Sequence, residues 1–377
     1  MKILVDENIP SGVELFAPYG DVEAFPGRAL SHEKVKEADA LIIRSITKIN
    51  RDLLHDTPVR FVGTATIGTD HVDQDYLKDA NITFASAPGC NSNSVGEFVV
   101  SALLELRRKK IFDYKGKTLG IIGFGNVGKN VDKKAQILGM NVLRNDPPLE
   151  EESPGKYSLV SLETICRESD IITIHVPLTK DGKYPTFQMI NAVMLKECKN
   201  GVVFFNSCRG NVICEDDLLD ARQSGKISAM LLDVFPGEPA IDRKLVDSCT
   251  IATPHIAGYS VEGKGNGSLQ VLKAFCSCFQ LDLRIDVDKP FPEEPLIQLP
   301  ADPDEALYSA VTHGYPILKD DKNLRDSLDA DDPGIQFDTL RKSYWKRFEF
   351  PNYQIENPEK VPENTREQLR ALGFRLS

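Results

Sequence analysis

Several features are scarce or missing in this sequence, and each absence argues against one class of protein. No apolar run approaches the length of a membrane-spanning helix. The eight cysteines are scattered without Cys-x-x-Cys spacing, which argues against a zinc site or a compact disulfide framework and predicts reduced thiols. Lys and Arg total 45 against 56 Asp and Glu, so we expect neither nucleic acid nor an anionic membrane as a partner. The apolar run before Asp6 is too short for a signal peptide, which predicts a cytoplasmic protein.

The length and composition that remain are those of a multidomain globular protein. Its 377 residues, 41% hydrophobic and 27% charged, suggest two or three domains. Strand-like and helix-like stretches alternate, which predicts an α/β fold with two doubly wound, Rossmann-like parallel sheets. A run rich in Asp, Glu and Pro over 283–300 predicts a linker. We therefore expect a discontinuous substrate-binding domain, a nucleotide-binding domain and a small α+β C-terminal domain, over residues 1–92 with 258–285, 93–257 and 286–377.

Apolar periodicity gives the helices outside the predicted βα units. Residues 94–110 and 260–281 predict two long helices, which could connect the first two domains. In the C-terminal domain, residues 304–313 and 335–347 predict helices, and Tyr353–Ile355 a short strand.

A glycine-rich turn is the feature around which the rest of the chain is organised. Leu119–Ile122 predict a buried strand, and three glycines follow it with the spacing Gly-x-Gly-x-x-Gly. The first permits a tight turn, the second lets backbone approach a pyrophosphate, and the third lets the next helix pack closely on the strand. Asp146 ends the next strand-like run, where an acid can bind the adenosine ribose. The predicted cofactor-binding residues of the turn are Gly123, Gly125, Asn126, Val127 and Gly128.

Three polar residues follow the last predicted strands of the nucleotide-binding domain. They are Arg209, Glu238 and His255, and parallel strands bring their carboxyl ends to one edge of the sheet. The planar guanidinium of Arg209 matches a carboxylate. An imidazole suits general acid–base chemistry, and a carboxylate such as Glu238 can fix its tautomer. We expect these three side chains to form a catalytic set.

The same segments resemble the D-2-hydroxyacid dehydrogenase family. The resemblance is carried by Arg209-Gly210 after a strand, Gly237–Pro239 and Thr253–Gly258, all downstream of the glycine turn. It implies that Arg209 binds the substrate carboxylate and polarises the C2 oxygen, that His255 exchanges the C2 hydroxyl proton, and that Glu238 bonds His255. It also implies that NAD accepts the hydride, in a cleft between the first two domains.

Motifs outside the catalytic set are similar to one branch of that family, from Lys2–Asn8 to Leu372–Phe374. This resemblance implies oxidation of 4-phospho-D-erythronate at C2 in the route to pyridoxal phosphate, by a homodimer joined through the C-terminal domain. The implied substrate contacts are Ser45, Thr66 and Tyr259. The implied cofactor contacts beyond the turn are Asp146, Val176, Cys208, Asp233 and Gly258. Val176 stands where the family commonly has Thr, so a contact there is backbone or apolar.

A phosphorylated substrate also needs cationic donors. Arg44 is the local candidate, and Arg347, supplied by the C-terminal domain of the other subunit, is a second one. Arg144 beside the ribose position would favour a 2′-phosphate, but Asp146 would repel that phosphate, so the sequence favours NAD.

Two other functions remain open at this point. The first is another phosphorylated D-2-hydroxyacid dehydrogenase, such as one for 3-phosphoglycerate. The second is a non-catalytic, NAD-sensing protein that shares the fold. His71 lies between Asp70 and Asp73, but such a group more often caps a helix than binds a metal, so we expect no metal site.

Overall fold

The computed structural model of the chain describes residues 1–285, 290 and 292–377. Asp286 and Asp288 of the predicted linker lie outside the described residues. The strands are β1 (Lys2–Asp6), β2 (Asp21–Phe25), β3 (Ala40–Ile43), β4 (Phe61–Thr64), β5 (Thr83–Ala85), β6 (Thr118–Ile122), β7 (Asn141–Asn145), β8 (Ile171–Ile174), β9 (Val202–Asn206), β10 (Ile227–Leu232), β11 (Ile251–Ala252), β12 (Leu296–Ile297), β13 (Gln354–Ile355) and β14 (Arg375–Leu376).

The α-helices alternate with these strands through much of the chain. They are α1 (Gly12–Phe16), α2 (His32–Val35), α3 (Arg51–Leu54), α4 (Gln74–Asp79), α5 (Ser92–Arg108), α6 (Asn126–Ile137), α7 (Pro147–Glu152), α8 (Leu162–Glu168), α9 (Ala192–Glu197), α10 (Glu215–Gln223), α11 (Arg243–Ser248), α12 (Val261–Phe279), α13 (Pro303–Gly314), α14 (Ile317–Ser327), α15 (Pro333–Lys342) and α16 (Glu363–Leu372). None of these helices, over the residues described, combines the length and apolarity needed to cross a bilayer.

The chain divides into two compact units. One comprises Met1–Asn91 with Ser260–Pro290, and the other Ser92–Tyr259 with Phe291–Ser377. The division into three domains, with a separate dimerisation domain at the C-terminus, stays a prediction.

The first unit is a five-stranded parallel sheet in the order β2-β1-β3-β4-β5. Strand β3 is buried at all four positions, as expected for a parallel strand covered on both faces. Helix α12 returns to this sheet, where Phe275 meets the rings of Phe16 and Phe61 edge to face. Strand β2 was absent from the prediction because it lies at the sheet edge and has only one buried residue, Phe25.

The second unit contains a six-stranded parallel sheet in the order β11-β10-β9-β8-β6-β7. Strand β6 therefore lies between β7 and β8, and the chain order reverses direction at that point. Ligands of doubly wound sheets bind outside the carboxyl ends of the strands at such a reversal. The predicted parallel α/β fold is confirmed, and it brings the glycine turn to this position.

The C-terminal part of the second unit adds a small parallel sheet, β12-β13-β14, with α13 to α16. The helix predicted over 335–347 was too long, because α15 ends at Lys342. Beyond it, Tyr344 Oη and Trp345 Nε1 turn inward to donate hydrogen bonds to the carboxylate of the nearly buried Asp320. Helices α14 and α16 were not predicted.

Candidate functional site

Each glycine of the turn after β6 meets a different local requirement. Gly123 has φ +92°, and a Cβ atom there would collide with the His175 carbonyl and lie 2.9 Å from Val176 Cγ1. A Cβ on Gly128 would collide with the Gly123 carbonyl oxygen. A Cβ on Gly125 would meet no atom within 4 Å. The first and third glycines are therefore needed by the fold, whereas Gly125 faces open space that a ligand can occupy.

Helix α6 begins directly after Gly125, and Asn126, Val127 and Gly128 form its first turn. The first N–H groups of a helix lack partners within the helix, and its dipole favours an anion there. The two features together make a site for a pyrophosphate.

Asp146 connects the glycine turn to the end of β7. Its Oδ2 accepts a hydrogen bond from Phe124 N (2.8 Å), and its Oδ1 caps α7 by accepting one from Leu149 N (3.0 Å). Each carboxylate oxygen keeps a second lone pair for a ribose hydroxyl. Arg144 is engaged elsewhere, since its Nη2 lies 2.8 Å from Asp132 Oδ1. This arrangement fits an unphosphorylated adenosine ribose.

The loop after β9 carries Cys208 and Arg209, and Arg209 is held by a hydrogen bond from Asn206 Nδ2 to its carbonyl oxygen (3.0 Å) and by one from its Nη1 to the Cys208 carbonyl oxygen (2.7 Å). Asn206 Oδ1 accepts hydrogen bonds from Cys208 N (3.0 Å) and Cys208 Sγ (3.1 Å). Burial raises the pKa of the Cys208 thiol, so it stays protonated rather than nucleophilic. A Cβ on Gly210 would collide with the backbone of Phe235, so Gly210 allows the Arg209 loop to lie against the loop that carries Glu238.

Asp233 at the end of β10 organises the loop that carries His255. Its buried carboxylate accepts hydrogen bonds from Thr253 Oγ1 (2.6 Å), Ile256 N (2.8 Å) and Ala257 N (2.9 Å). Burial raises its pKa to about 6, against the lowering effect of the nearby His255 and of these donors. Both carboxylate oxygens thus fix the loop that continues into Gly258, and the cofactor contacts predicted on Asp233 and Gly258 stay predictions.

His255 and Glu238 form a hydrogen-bonded pair. His255 Nδ1 lies 2.7 Å from Glu238 Oε2, and Glu238 Oε1 accepts a hydrogen bond from Phe235 N (2.9 Å). Although burial acts to raise it, the pKa of Glu238 is lowered by His255 and by the Phe235 N–H, with a smaller effect from Arg341. The carboxylate therefore stays ionised and can only accept, which assigns the Nδ1 proton to His255 and leaves Nε2 as its basic atom. The imidazole is 31% exposed, so it remains open to a substrate.

His255 also adopts an unusual backbone conformation, with φ +56°. Its N–H donates to the Asp233 carbonyl (2.7 Å), and this hydrogen bond holds His255 in the left-handed conformation. Non-glycine residues in that region often belong to functional sites, where the surrounding structure holds the strain.

Tyr259 follows this loop and contacts the C-terminal part of the same unit. Its ring meets Tyr344 edge to face, with 5.7 Å between the ring centroids. Arg341 Nη2 lies 3.4 Å from the Tyr259 hydroxyl. The sequence prediction did not assign Arg341 to the site, because two basic residues, Arg341 and Lys342, end α15 and the sequence does not show which one faces Tyr259.

Arg347 occupies a position that does not fit the predicted contact with a substrate phosphate. Its side chain is fully buried, and its guanidinium carbon lies 3.6 Å from the centre of the Tyr315 ring. It donates hydrogen bonds to the carbonyl oxygens of Ala257 (3.1 Å) and Ser94 (2.7 Å) within its own chain. The structure instead gives Arg347 the role of joining the C-terminal segment to α5 and to the His255 loop.

The predicted substrate contacts Arg44, Ser45 and Thr66 lie in the first unit. Arg44 and Ser45 follow β3, and Thr66 follows β4, its neighbour in the sheet, so all three lie at the same sheet edge. The Thr66 hydroxyl lies 2.8 Å from the Thr64 hydroxyl. The Thr64 hydroxyl in turn lies 3.2 Å from His71 Nε2. Asp73 caps α4 by accepting from Tyr76 N, as its sequence position predicted.

Comparisons with known proteins agree with this geometry. A family model described as D-isomer specific 2-hydroxyacid dehydrogenase, NAD binding domain, matches residues 98–257, and one described as a domain of unknown function matches residues 290–373. The chain is 40% identical to erythronate-4-phosphate dehydrogenases from Hahella chejuensis and Pectobacterium atrosepticum, aligned over all of this chain and 100% and 99% of theirs. The structure of NAD⁺-bound 3-phosphoglycerate dehydrogenase from Entamoeba histolytica matches with a TM-score of 0.64 and 25% identity, covering 76% of this chain and 99% of that one.

Proposed function

The chain belongs to the erythronate-4-phosphate dehydrogenase family of D-2-hydroxyacid dehydrogenases, and we propose that it oxidises 4-phospho-D-erythronate at C2 to 3-hydroxy-2-oxo-4-phosphobutanoate. The reaction is a step in the biosynthesis of pyridoxine and pyridoxal 5′-phosphate. The observation that carries the proposal is the 2.7 Å pair of His255 and Glu238 at the strand ends of an NAD-binding domain. The alternatives, a 3-phosphoglycerate dehydrogenase and a non-catalytic NAD sensor, are not favoured, because the full-length relatives are named erythronate-4-phosphate dehydrogenase.

NAD is the cofactor of this domain, and the residues present fit it. The open space at Gly125, the first turn of α6 and the remaining lone pairs of Asp146 would hold its pyrophosphate and ribose. Val176 lies beside Gly123, and the backbone of Val176 is a hydrogen-bonding neighbour of the Cys208 thiol. When bound, NAD accepts the hydride that leaves C2.

The side chains of the site bind the substrate, accept its proton and stabilise the charge that forms. Arg209 binds the C1 carboxylate and the C2 oxygen, and its planar guanidinium keeps the C2–H bond in one orientation. His255 Nε2 takes the C2 hydroxyl proton as the C2–O bond becomes a carbonyl and the hydride leaves. Glu238 stabilises the imidazolium that forms, because it remains an ionised acceptor at Nδ1.

Substrate contacts from the first unit complete the proposal. The exposed hydroxyl of Ser45, the guanidinium of Arg44 and the hydroxyl of Thr66 are suitable donors for a phosphorylated hydroxy acid. Their shared position at the carboxyl ends of β3 and β4 supports this role, since such strand ends are where α/β sheets bind ligands.

We also infer a cytoplasmic homodimer joined through residues 286–377. Large apolar side chains at Leu296 and Ile335 are 49% and 62% exposed in the single chain, which supports an interface in that part. Sedimentation of the purified protein at twice 41.9 kDa would agree with the dimer, and sedimentation at the mass of one chain would contradict it. Cell fractionation tests the location.

The function is tested by NADH formation from 4-phospho-D-erythronate, after bound cofactor is removed and with an acceptor supplied for any reduced cofactor retained. We expect kcat/KM for this substrate to exceed that for 3-phosphoglycerate by at least about 100-fold, the scale of one or two well-placed polar contacts. A preference for 3-phosphoglycerate, or no turnover of either compound, would refute the proposal.

A further inference from the structure

Helix α15 brings a cation to Tyr259, four residues after His255, from the C-terminal part of the second unit. The guanidinium of Arg341 lies 3.4 Å from the Tyr259 hydroxyl and 5.9 Å from the centre of the Tyr259 ring. Its positive charge also acts on Glu238, which is bonded to His255. Arg341 thus contacts Tyr259, which follows His255 by four residues, within one chain.

The hydrogen-bonding capacity of Arg341 is only partly used. The side chain is 15% exposed, and its Nε is buried without a hydrogen-bond partner among the described residues. The carboxylate oxygen of Asp338 is 3.8 Å from Nη1, beyond hydrogen-bond distance, and the contact with Tyr259 is long. A guanidinium removed from water with unmet donors is costly unless an acceptor binds to it.

Arg347, six residues further along the chain, also has a buried Nε without a hydrogen-bond partner among the described residues, but it differs from Arg341 at its Nη atoms. It is buried more completely, but its guanidinium donates to two carbonyl oxygens and stacks on Tyr315. Both Nη atoms of Arg347 thus have close carbonyl partners. The Nη2 atom of Arg341, in contrast, makes a long contact with the Tyr259 hydroxyl (3.4 Å).

We propose that Arg341, together with Tyr259, binds the phosphate of the substrate and makes the enzyme selective for a phosphorylated hydroxy acid. This inference rests on the proposed function, in which the substrate has a carboxylate at one end and a phosphate at the other. Arg209 is assigned to the carboxylate, so a second cation beside Tyr259, four residues after His255, serves the distal anion. A guanidinium can bind two phosphate oxygens at once, and a phenol hydroxyl can donate to another.

The test compares two substrates that differ only in the phosphate, 4-phospho-D-erythronate and D-erythronate. In Arg341→Gln we expect kcat/KM for the phosphorylated compound to fall by about 10- to 100-fold, the effect of losing charge-assisted hydrogen bonds. The value for D-erythronate, which has no phosphate to lose, should change by less than about threefold on the same reasoning. Arg341→Lys should lie between the wild type and Arg341→Gln, because it keeps the charge and loses the planar fork.

Lys342→Gln is the matched control, since it removes one positive charge from an exposed position on the same helix. It should leave the ratio of kcat/KM for the two substrates unchanged. Circular dichroism and the melting temperature establish that each variant is folded.

Two results would overturn the inference while leaving the proposed function intact. One is an equal loss on both substrates in Arg341→Gln, which would mean that Arg341 acts through Glu238 rather than on the phosphate. The other is no change on either substrate. A wild-type protein that oxidises neither compound would refute the proposed function itself, and with it this inference.

Discussion

At the scale of single residues, the hydrogen bond between His255 and Glu238 decides which nitrogen can take a proton. The carboxylate is ionised and accepts at Nδ1, so Nε2 is the basic atom. The pairing of His255 with Glu238 could be predicted from the sequence because each residue lies in a short, recognisable motif after a strand, whereas the role of Arg209 stays a prediction. Parallel topology then places strand ends together whatever the details of packing.

Glu238→Gln should inactivate the enzyme without unfolding it. The amide oxygen can still accept from Phe235 N, which directs the NH₂ group at His255 Nδ1 and moves the imidazole proton to Nε2. We expect kcat to fall by about 10²- to 10⁴-fold, the usual contribution of a general base. Steady-state kinetics measure the loss, and NAD affinity and melting temperature should stay close to wild type.

The exposed Glu163 supplies a control for this substitution. Glu163→Gln removes the same charge from the surface of α8 and should keep full activity. A Glu238→Gln enzyme within a few-fold of wild type would contradict the assigned tautomer.

The different surroundings of Arg341 and Arg347 could not be predicted from the sequence. Both lie in one short basic and aromatic segment, and either could be assigned to a phosphate. Arg347 is enclosed by carbonyl groups of Ser94 and Ala257, which are about 90 or more positions away in the chain. Such long-range contacts leave no local pattern in the sequence.

At the scale of elements, the turn between β6 and α6 was the most predictable part of the molecule. Its glycine spacing follows from steric requirements within one strand, one turn and one helix, so a short stretch of sequence is enough to recognise it. The structure sharpens the interpretation, since Gly123 and Gly128 are held by contacts with the protein itself, and Gly125 alone faces open space. The short strands β12 and β14 were not predicted, because two residues are too few to show periodicity.

We therefore expect the same substitution, glycine to valine, to affect NAD binding at position 125 and stability at position 128. Gly125→Val should weaken NAD binding by at least about tenfold through loss of the backbone approach to the pyrophosphate, and should leave the melting temperature nearly unchanged. Gly128→Val should lower the melting temperature, because its side chain would collide with the Gly123 carbonyl. Calorimetric titration with NAD and thermal unfolding separate the two effects. A Gly125→Val protein that binds NAD normally would contradict the placement of the pyrophosphate.

At the scale of the whole molecule, a buried polar network joins the C-terminal part of the second unit to α5. Glu349 accepts hydrogen bonds from Ser94 Oγ (2.6 Å) and Asn93 Nδ2 (2.7 Å), and Glu97 accepts one from Phe350 N (2.9 Å). Burial and the neighbouring Glu349 raise the pKa of Glu97 to about 8, against the opposing charge of Arg347. The sequence could not predict this network, since both glutamates would be placed on a solvated face by default.

This network predicts a pH dependence of stability. The folded protein keeps a proton on Glu97 up to about pH 8, whereas the unfolded chain releases it near the ordinary value of 4.5. Because the folded state binds more protons between these values, the contribution of Glu97 to the free energy of unfolding falls as the pH rises, by at most about 1.4 kcal/mol per pH unit.

Glu97→Gln removes this titration. The melting temperature of the variant minus that of the wild type should increase from pH 5.5 to about pH 8 and then level off. Thermal unfolding at constant ionic strength measures the difference. A difference that is independent of pH would show that Glu97 titrates alike in the folded and unfolded states.

We propose that the chain oxidises C2 of a phosphorylated hydroxy acid by hydride transfer to NAD, with His255 taking the hydroxyl proton. The most direct measurement uses 4-phospho-D-erythronate deuterated at C2, with mass spectrometry of the reduced cofactor. We expect the deuterium to appear in the reduced cofactor and turnover to be lost in His255→Ala. Reduced cofactor without deuterium, or unchanged turnover in His255→Ala, would contradict it.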